Sequence, residues 1–143
     1  MYSTSAEDKA TVFCFGSNVI AWSSKKQKTV VLSSAEAEYI ATTNAACEAI
    51  WLMRLLSDVQ QKIEEPTVIC CDNTSAIAMT KNPVFHARTK HIELRHQFIR
   101  DLVGEGEIQL QFVSTNDQPA DVLTKAATVD RMEWFKKRLK ITN

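Results

Sequence analysis

The sequence predicts an α/β domain in which helices cover a mixed β-sheet. One observation is the continuous apolar run Thr67–Cys71, which is typical of a buried strand in a parallel sheet. A second is a pair of β-rich segments on either side of Gly16, and a third is the set of amphipathic helical patterns that follow. With 143 residues, 45% of them hydrophobic and 24% charged, the chain fits one globular domain over residues 1–143.

Each predicted element has a local signal. Residues 11–22 predict a β-hairpin or two short strands, and residues 29–32 predict a further strand after a polar turn. Ser33 and Glu36 form a capping box that opens a helix reaching about residue 61, with Trp51 and Leu55 among its apolar positions. After Thr67–Cys71, the pattern predicts helices over 74–80 and 89–103, a strand over 108–113, and helices over 119–125 and 130–140.

Composition excludes several classes of protein. No apolar run approaches the roughly 18 residues of a membrane helix, and the polar N-terminus is unlike a signal peptide. We therefore expect an intracellular protein of the cytoplasm or nucleus, with its four cysteines present as small buried thiols. His86, His91 and His96 are five residues apart, which does not align them for a zinc site. Nucleotide-cofactor, serine-hydrolase and zincin motifs are missing from the sequence.

Three carboxylates stand at the end of a strand or the start of a helix. Asp72 ends the buried strand and either caps the next helix or serves a site. Glu38 points away from Glu36 and is either a surface residue or faces a site. Asp121 lies in the first turn after Pro119, where the helix dipole alone favours an acid. If the three converge, their oxygen-only character suits Mg²⁺ or Mn²⁺ in a two-ion phosphodiesterase site.

Basic residues are segregated although 17 of them balance 17 acids. The clusters lie at residues 25–28, 81–100 and 131–140, and they are either solvated helix faces or phosphate contacts.

Five segments in order resemble the ribonuclease H domain of copia-type LTR retrotransposon polyproteins, over residues 12–139. These segments are IAWSSKKQ at 20–27, LSSAEAEYIA at 32–41, CDNTSAI at 71–77, KNP with HARTKHI at 81–92, and ADVLTK at 120–125. The resemblance implies a ribonuclease H-like fold, with a mixed five-stranded sheet flanked by helices. It also implies an endonuclease that needs two Mg²⁺ or Mn²⁺ ions and cuts the RNA strand of an RNA–DNA hybrid.

The resemblance assigns roles to particular residues. Of the four family carboxylates, Glu38, Asp72 and Asp121 match the last three, as catalytic residues and metal ligands. The residues that we expect to bind nucleic acid are Lys25, Lys26, Asn73, Arg88, Lys90 and His91.

The first family carboxylate is missing. Thr4 stands where the metal-bridging aspartate would be, so we expect residues 1–11 to contain a truncated or degenerate first strand. Glu7 or Asp8 could substitute for the aspartate. Two hypotheses follow: an active or weakly active ribonuclease H, or an inactive module that binds nucleic acid or protein. A missing central strand would also expose two strand edges, which predicts a homodimer or a partner chain.

Overall fold

The computed structural model describes residues 2–5, 9–16, 18–25, 33–61, 63–81 and 90–141. Its strands are β1 (Tyr2–Ser5), β2 (Lys9–Phe15), β3 (Asn18–Lys25), β4 (Thr67–Cys71) and β5 (Ile108–Phe112). Its helices are α1 (Ser34–Asp58), α2 (Thr74–Lys81), α3 (Lys90–Gly104) and α4 (Val129–Arg138). Two 3₁₀ helices, Thr115–Asp117 and Pro119–Leu123, connect β5 to α4. The predicted strand over 29–32 lies outside the described residues.

The strands form one mixed sheet in the order β3-β2-β1-β4-β5. β1 pairs antiparallel with β2, which pairs antiparallel with β3, while β4 is parallel to both β1 and β5. The mixed α/β class predicted from the sequence is confirmed.

The first strand is present and central. β1 has four residues and is paired on both sides, and β2 already begins at Lys9. Within the described sheet the edge strands are therefore β3 and β5. The pair of exposed edges from which we expected self-association does not occur there, so that reason for a dimer is wrong.

Helices and turns cover the two faces of the sheet around separate apolar clusters. Alternation along β2 sends Phe13 into the cluster under α1 and Val12 into the cluster under α4. Fully buried alanines let α1 lie close to the strands, and these are Ala45, Ala46 and Ala49. The sheet is thereby enclosed along its centre, where β1 and β4 lie.

The long helix differs from its prediction in two respects. It ends at Asp58 because Gln60 adopts a left-handed backbone conformation with φ 62°. Trp51 and Leu55, predicted on its apolar face, are 63% and 46% exposed. The helix turns its small residues toward the sheet together with Ile50 and Leu52, so Trp51 and Leu55 lie on its outward side.

The cysteines also divide by face. Cys70 and Cys71 are buried and Cys14 is half-buried, as small core thiols would be. Cys47 is exposed, so the prediction was wrong there, because it lies one turn before Trp51 on the outward side of α1. None of these four cysteines forms a disulfide with another described residue. Among the described helices, none is long and apolar enough to cross a membrane.

Candidate active site at the ends of the central strands

Thr4 and Asp72 lie at the carboxyl ends of two neighbouring parallel strands. Ser3 of β1 pairs with Cys70 of β4, so one step further along each strand brings Thr4 level with Cys71, immediately before Asp72. On its other side Thr4 pairs with Thr11 of β2. Ligand sites of α/β sheets gather at such strand ends. The central strand thus carries a threonine level with Cys71, one residue before the strand ends at Ser5.

Glu38 is buried beside the end of β4. It lies in the second turn of α1, where its residue is 2% exposed, and its Oε1 lies 3.8 Å from the Cys71 thiol, which donates a hydrogen bond to it. The interpretation of Glu38 as a surface glutamate is wrong. Its direction follows from the helix start, because the Ser33 side chain accepts a hydrogen bond from the Glu36 N–H at 3.1 Å and fixes the first turn.

Asp72 does not cap the helix that follows it. That role belongs to Asn73, whose Oδ1 accepts a hydrogen bond from the Ala76 N–H at 3.0 Å. The Asp72 carboxylate instead accepts a hydrogen bond from the Thr115 hydroxyl at 3.0 Å. The partly buried acid is therefore held across the sheet edge by the loop after β5.

The charges of Glu38 and Asp72 both act on the Cys71 thiol. Burial, with the negative charges of Glu38 and Asp72, raises the pKa of this thiol to about 12. The thiol also donates a hydrogen bond to the Asn73 carbonyl oxygen at 3.6 Å and is hydrogen-bonded with the Thr42 side chain. The thiol thus stays protonated at neutral pH and separates two carboxylates without adding a charge.

Asp121 lies on the predicted 119–125 segment, which forms the 3₁₀ helix Pro119–Leu123 rather than an α-helix. Such short helices close with i→i+3 bonds, here from the Thr124 N–H to the Asp121 carbonyl. Asp121 is 6% exposed. Its Oδ2 lies 3.1 Å from Lys125 Nζ, whereas its buried Oδ1 has no hydrogen-bond partner within the described part of the chain. The 3₁₀ helix packs against β1 and β2, which brings Asp121 to the Thr4 strand.

A cavity of about 210 Å³ opens beside Asp121. It is lined by Thr115, Asn116, Asp121, Val122, Lys125, Ala126, Ala127 and Arg131. Because Thr115 also holds Asp72, it connects the cavity to the end of β4. The structure therefore brings Glu38 and Asp72 together around Cys71, and it joins Asp121 to them through Thr115.

Arg131 fixes the loop that makes this connection. Its guanidinium donates to the carbonyl oxygens of Thr115 and Gln118, each at 3.2 Å, and also to that of Asn116. It lies over the Trp134 ring, 4.1 Å from the ring centroid. Arg131 and Thr115 could not be singled out from the sequence, since Arg131 is only one member of a basic segment and Thr115 belongs to no motif.

The donor set fits a hard divalent cation in part. No group of three or more His, Cys, Asp and Glu side chains converges closely enough to form a metal cage, as far as residues are described. Mg²⁺, however, usually takes one or two carboxylates and completes its shell with water and substrate phosphate. The buried Oδ1 of Asp121, which has no hydrogen-bond partner among the described residues, is an oxygen of the required kind. Two ions at this position stay a prediction.

The predicted nucleic-acid contacts are only partly described. Asn73 is half-buried and uses its amide oxygen for the α2 cap. Lys25 ends β3, and Lys90 and His91 begin α3. Lys26 and Arg88 lie outside the described residues. All of these contacts stay predictions.

Comparison with known proteins places the chain among transposon sequences. It is 44% identical over 125 residues to the retrovirus-related Pol polyprotein from transposon TNT 1-94 of Nicotiana tabacum, covering 87% of this chain. It is 43% identical to that from transposon RE1 and 44% identical to that from RE2, both of Arabidopsis thaliana, covering 89% and 87% of this chain. The chain spans only 8–9% of the length of these relatives. No family model matches, and no solved structure gives a significant match. The chain is therefore homologous to a short segment of retrovirus-related Pol polyproteins.

Proposed function

We propose that the chain is a ribonuclease H-type domain derived from a copia-type retrotransposon, with impaired metal-dependent cleavage of the RNA strand of RNA–DNA hybrids. The observation that carries the proposal is the arrangement of Glu38 and Asp72 around Cys71, at the end of β4 in a sheet of order β3-β2-β1-β4-β5. Homology to Pol polyproteins over most of the chain supports the same assignment.

The chain's own residues position the reacting groups. Thr115 holds one oxygen of Asp72, and Arg131 holds the backbone on which Thr115 lies. Glu38, Asp72 and Asp121 would supply the oxygen ligands. When bound, divalent cations would activate the attacking water and stabilise the leaving oxygen of the phosphodiester.

We expect cleavage to be impaired because of the residue at position 4 of the central strand β1. Thr4 is the next-to-last residue of the central strand, at the position where the resemblance implies a carboxylate that would contact both ions. A threonine hydroxyl carries no charge, so a divalent cation bound here would have one anionic ligand fewer and a lower affinity. We therefore expect slow cleavage that is rescued in part by Mn²⁺.

The Thr4 position also favours a second candidate, a module that binds the hybrid without cutting it. Hybrid recognition by shape and by 2′-hydroxyl groups does not require the metal-bridging acid. The two candidates share the fold and the ligand but differ in chemistry.

The test is cleavage of an end-labelled RNA–DNA hybrid in Mg²⁺ and in Mn²⁺. Asp72→Asn should abolish cutting, whereas Asp58→Asn, an exposed acid at the far end of α1, should leave it unchanged. Salt-dependent binding without cutting would select the second candidate. A protein that neither cuts nor binds the hybrid would overturn both candidate functions.

A further inference from the structure

Lys125 provides a cation inside the candidate site. Its Nζ lies 3.1 Å from Asp121 Oδ2, and its own N–H donates to the Asp121 carbonyl at 2.9 Å. The Asp121 side chain is 9% exposed, whereas that of Lys125 is 44% exposed. A nearly buried acid is thus paired with a lysine that reaches it from the solvent side.

The ion pair between Lys125 and Asp121 compensates the negative charge of the carboxylate. A carboxylate with so little contact to water is stable as an anion only beside a compensating positive charge. Lys125 supplies that charge at Oδ2, while Oδ1 has no hydrogen-bond partner within the residues that are described. A divalent cation at Asp121 would meet the same need, so the ammonium and the metal are alternatives for one anion.

We propose that Lys125 is a built-in competitor of the metal ion at Asp121, which lowers the metal affinity of the site and leaves its carboxylate compensated when no metal is bound. The inference rests on the proposed function, because it assigns Asp121 to the metal. The half-exposed lysine side chain can withdraw to solvent when the metal arrives, whereas the carboxylate, on the packed 3₁₀ helix, stays in place.

Competition has a definite consequence for metal affinity. Removal of the ammonium leaves the nearly buried carboxylate uncompensated, so it should bind a divalent cation more tightly. A single opposite charge at hydrogen-bond distance typically changes an ionic equilibrium by about tenfold or more. Lys125→Met should therefore lower the Mn²⁺ dissociation constant by about tenfold.

The experiment titrates Mn²⁺ into the whole chain without nucleic acid and counts free Mn²⁺ by electron paramagnetic resonance. Lys136→Met is the matched control, because Lys136 is also a partly exposed lysine, paired with Glu133 at 3.4 Å on α4. The Lys136→Met substitution also removes one positive charge, but not the one that is paired with Asp121. It should therefore leave the Mn²⁺ dissociation constant unchanged. Lys125→Arg keeps the cation and should bind Mn²⁺ like the unaltered protein.

Each outcome bears on the proposal. Tighter binding by Lys125→Met, lost again when Asp121→Asn is added, supports it. Equal or weaker binding by Lys125→Met overturns it, and so does an equal gain in the Lys136→Met control. Undetectable Mn²⁺ binding in every variant would overturn both the competition and the metal site. Tighter metal binding without hybrid cleavage would uphold the competition while the proposed nuclease activity fails.

Discussion

The Thr115 hydroxyl donates a 3.0 Å hydrogen bond to Asp72 Oδ2, which ties the loop after β5 to the end of β4. The two residues are 43 positions apart in sequence, and the tie is what links Asp72 to the cavity beside Asp121. The site therefore depends on the loop as much as on the strands.

Thr115→Val should remove this tie without changing the shape of the side chain. Because the bond is solvent-exposed, we expect a coupling free energy of about 0.5–1 kcal/mol between Thr115→Val and Asp72→Asn in a double-mutant cycle. Urea unfolding at neutral pH measures it. Thr74→Val at an exposed threonine of α2 is the control and should show no coupling to Asp72. A coupling near zero at Thr115 would contradict the prediction.

Arg131→Lys should destabilise the protein although it keeps the charge. Lysine cannot reproduce the planar fork that reaches three carbonyl oxygens while lying over Trp134. We expect a loss of about 1–2 kcal/mol in the free energy of unfolding. Arg54→Lys, on the exposed side of α1, should change it by less than about 0.5 kcal/mol. Equal effects of the two substitutions would show that the fork contributes nothing.

Ser33→Ala should weaken the start of α1, which directs Glu38 toward β4. The loss of the side-chain acceptor for the Glu36 N–H should cost about 1 kcal/mol of the free energy of unfolding. Ser34→Ala, one residue into the helix, is the matched control and should be neutral or slightly stabilising because alanine favours helix. Denaturant titration of both variants checks the difference, and equal stabilities would argue against the cap.

The sequence was sufficient to predict strand β4 and the start of helix α1, because neighbouring residues determine both. β4 has its predicted bounds because a threonine and four apolar residues between a proline and an acid favour a buried strand, and the Ser33 cap follows from its side chain. The end of α1 depends on Gln60 in a left-handed conformation, which no residue type there indicates. The exposure of Trp51 depends on which face of α1 meets the sheet, and periodicity alone could not assign it.

The candidate site, too, could be predicted from the sequence only in part. Glu38, Asp72 and Asp121 were identifiable as acids at element ends. Their connection through Thr115 and Arg131 requires contacts between distant parts of the chain, which only the folded structure contains.

Cys71 should resist alkylation while Cys47 reacts. Burial, with the charges of Glu38 and Asp72, raises the Cys71 pKa from 9.0 to about 12, so almost no thiolate is present at pH 8. Because the unfolded chain loses this proton first, stability should fall between pH 9 and 12, by at most about 1.4 kcal/mol per pH unit from this group. Mass spectrometry after iodoacetamide treatment checks reactivity. Early labelling of Cys71 in folded protein would contradict the burial of its thiol.

Thr4→Asp should restore the function that the proposed site lacks. The register places residue 4 one position before the end of the central strand, level with Cys71, which directly precedes Asp72. A carboxylate there adds an anionic oxygen ligand, and we expect cleavage of the RNA–DNA hybrid to rise by about tenfold or more in Mg²⁺. The Thr4→Asn variant places a side chain there that has the shape of aspartate but no charge, so it should not raise the cleavage rate.

The same substitution has a signature that is independent of cleavage. Without metal, a new acid close to Glu38 and Asp72 adds like-charge repulsion, so the melting temperature of Thr4→Asp should lie below that of Thr4→Asn. Excess Mg²⁺ should reverse that order, because a ligand that binds only the folded state raises its stability. Adding Asp121→Asn should remove most of the gain. If Mg²⁺ raised the melting temperatures of the Asp and Asn variants equally, residue 4 would not reach the metal and the proposed alignment of the first strand would be wrong.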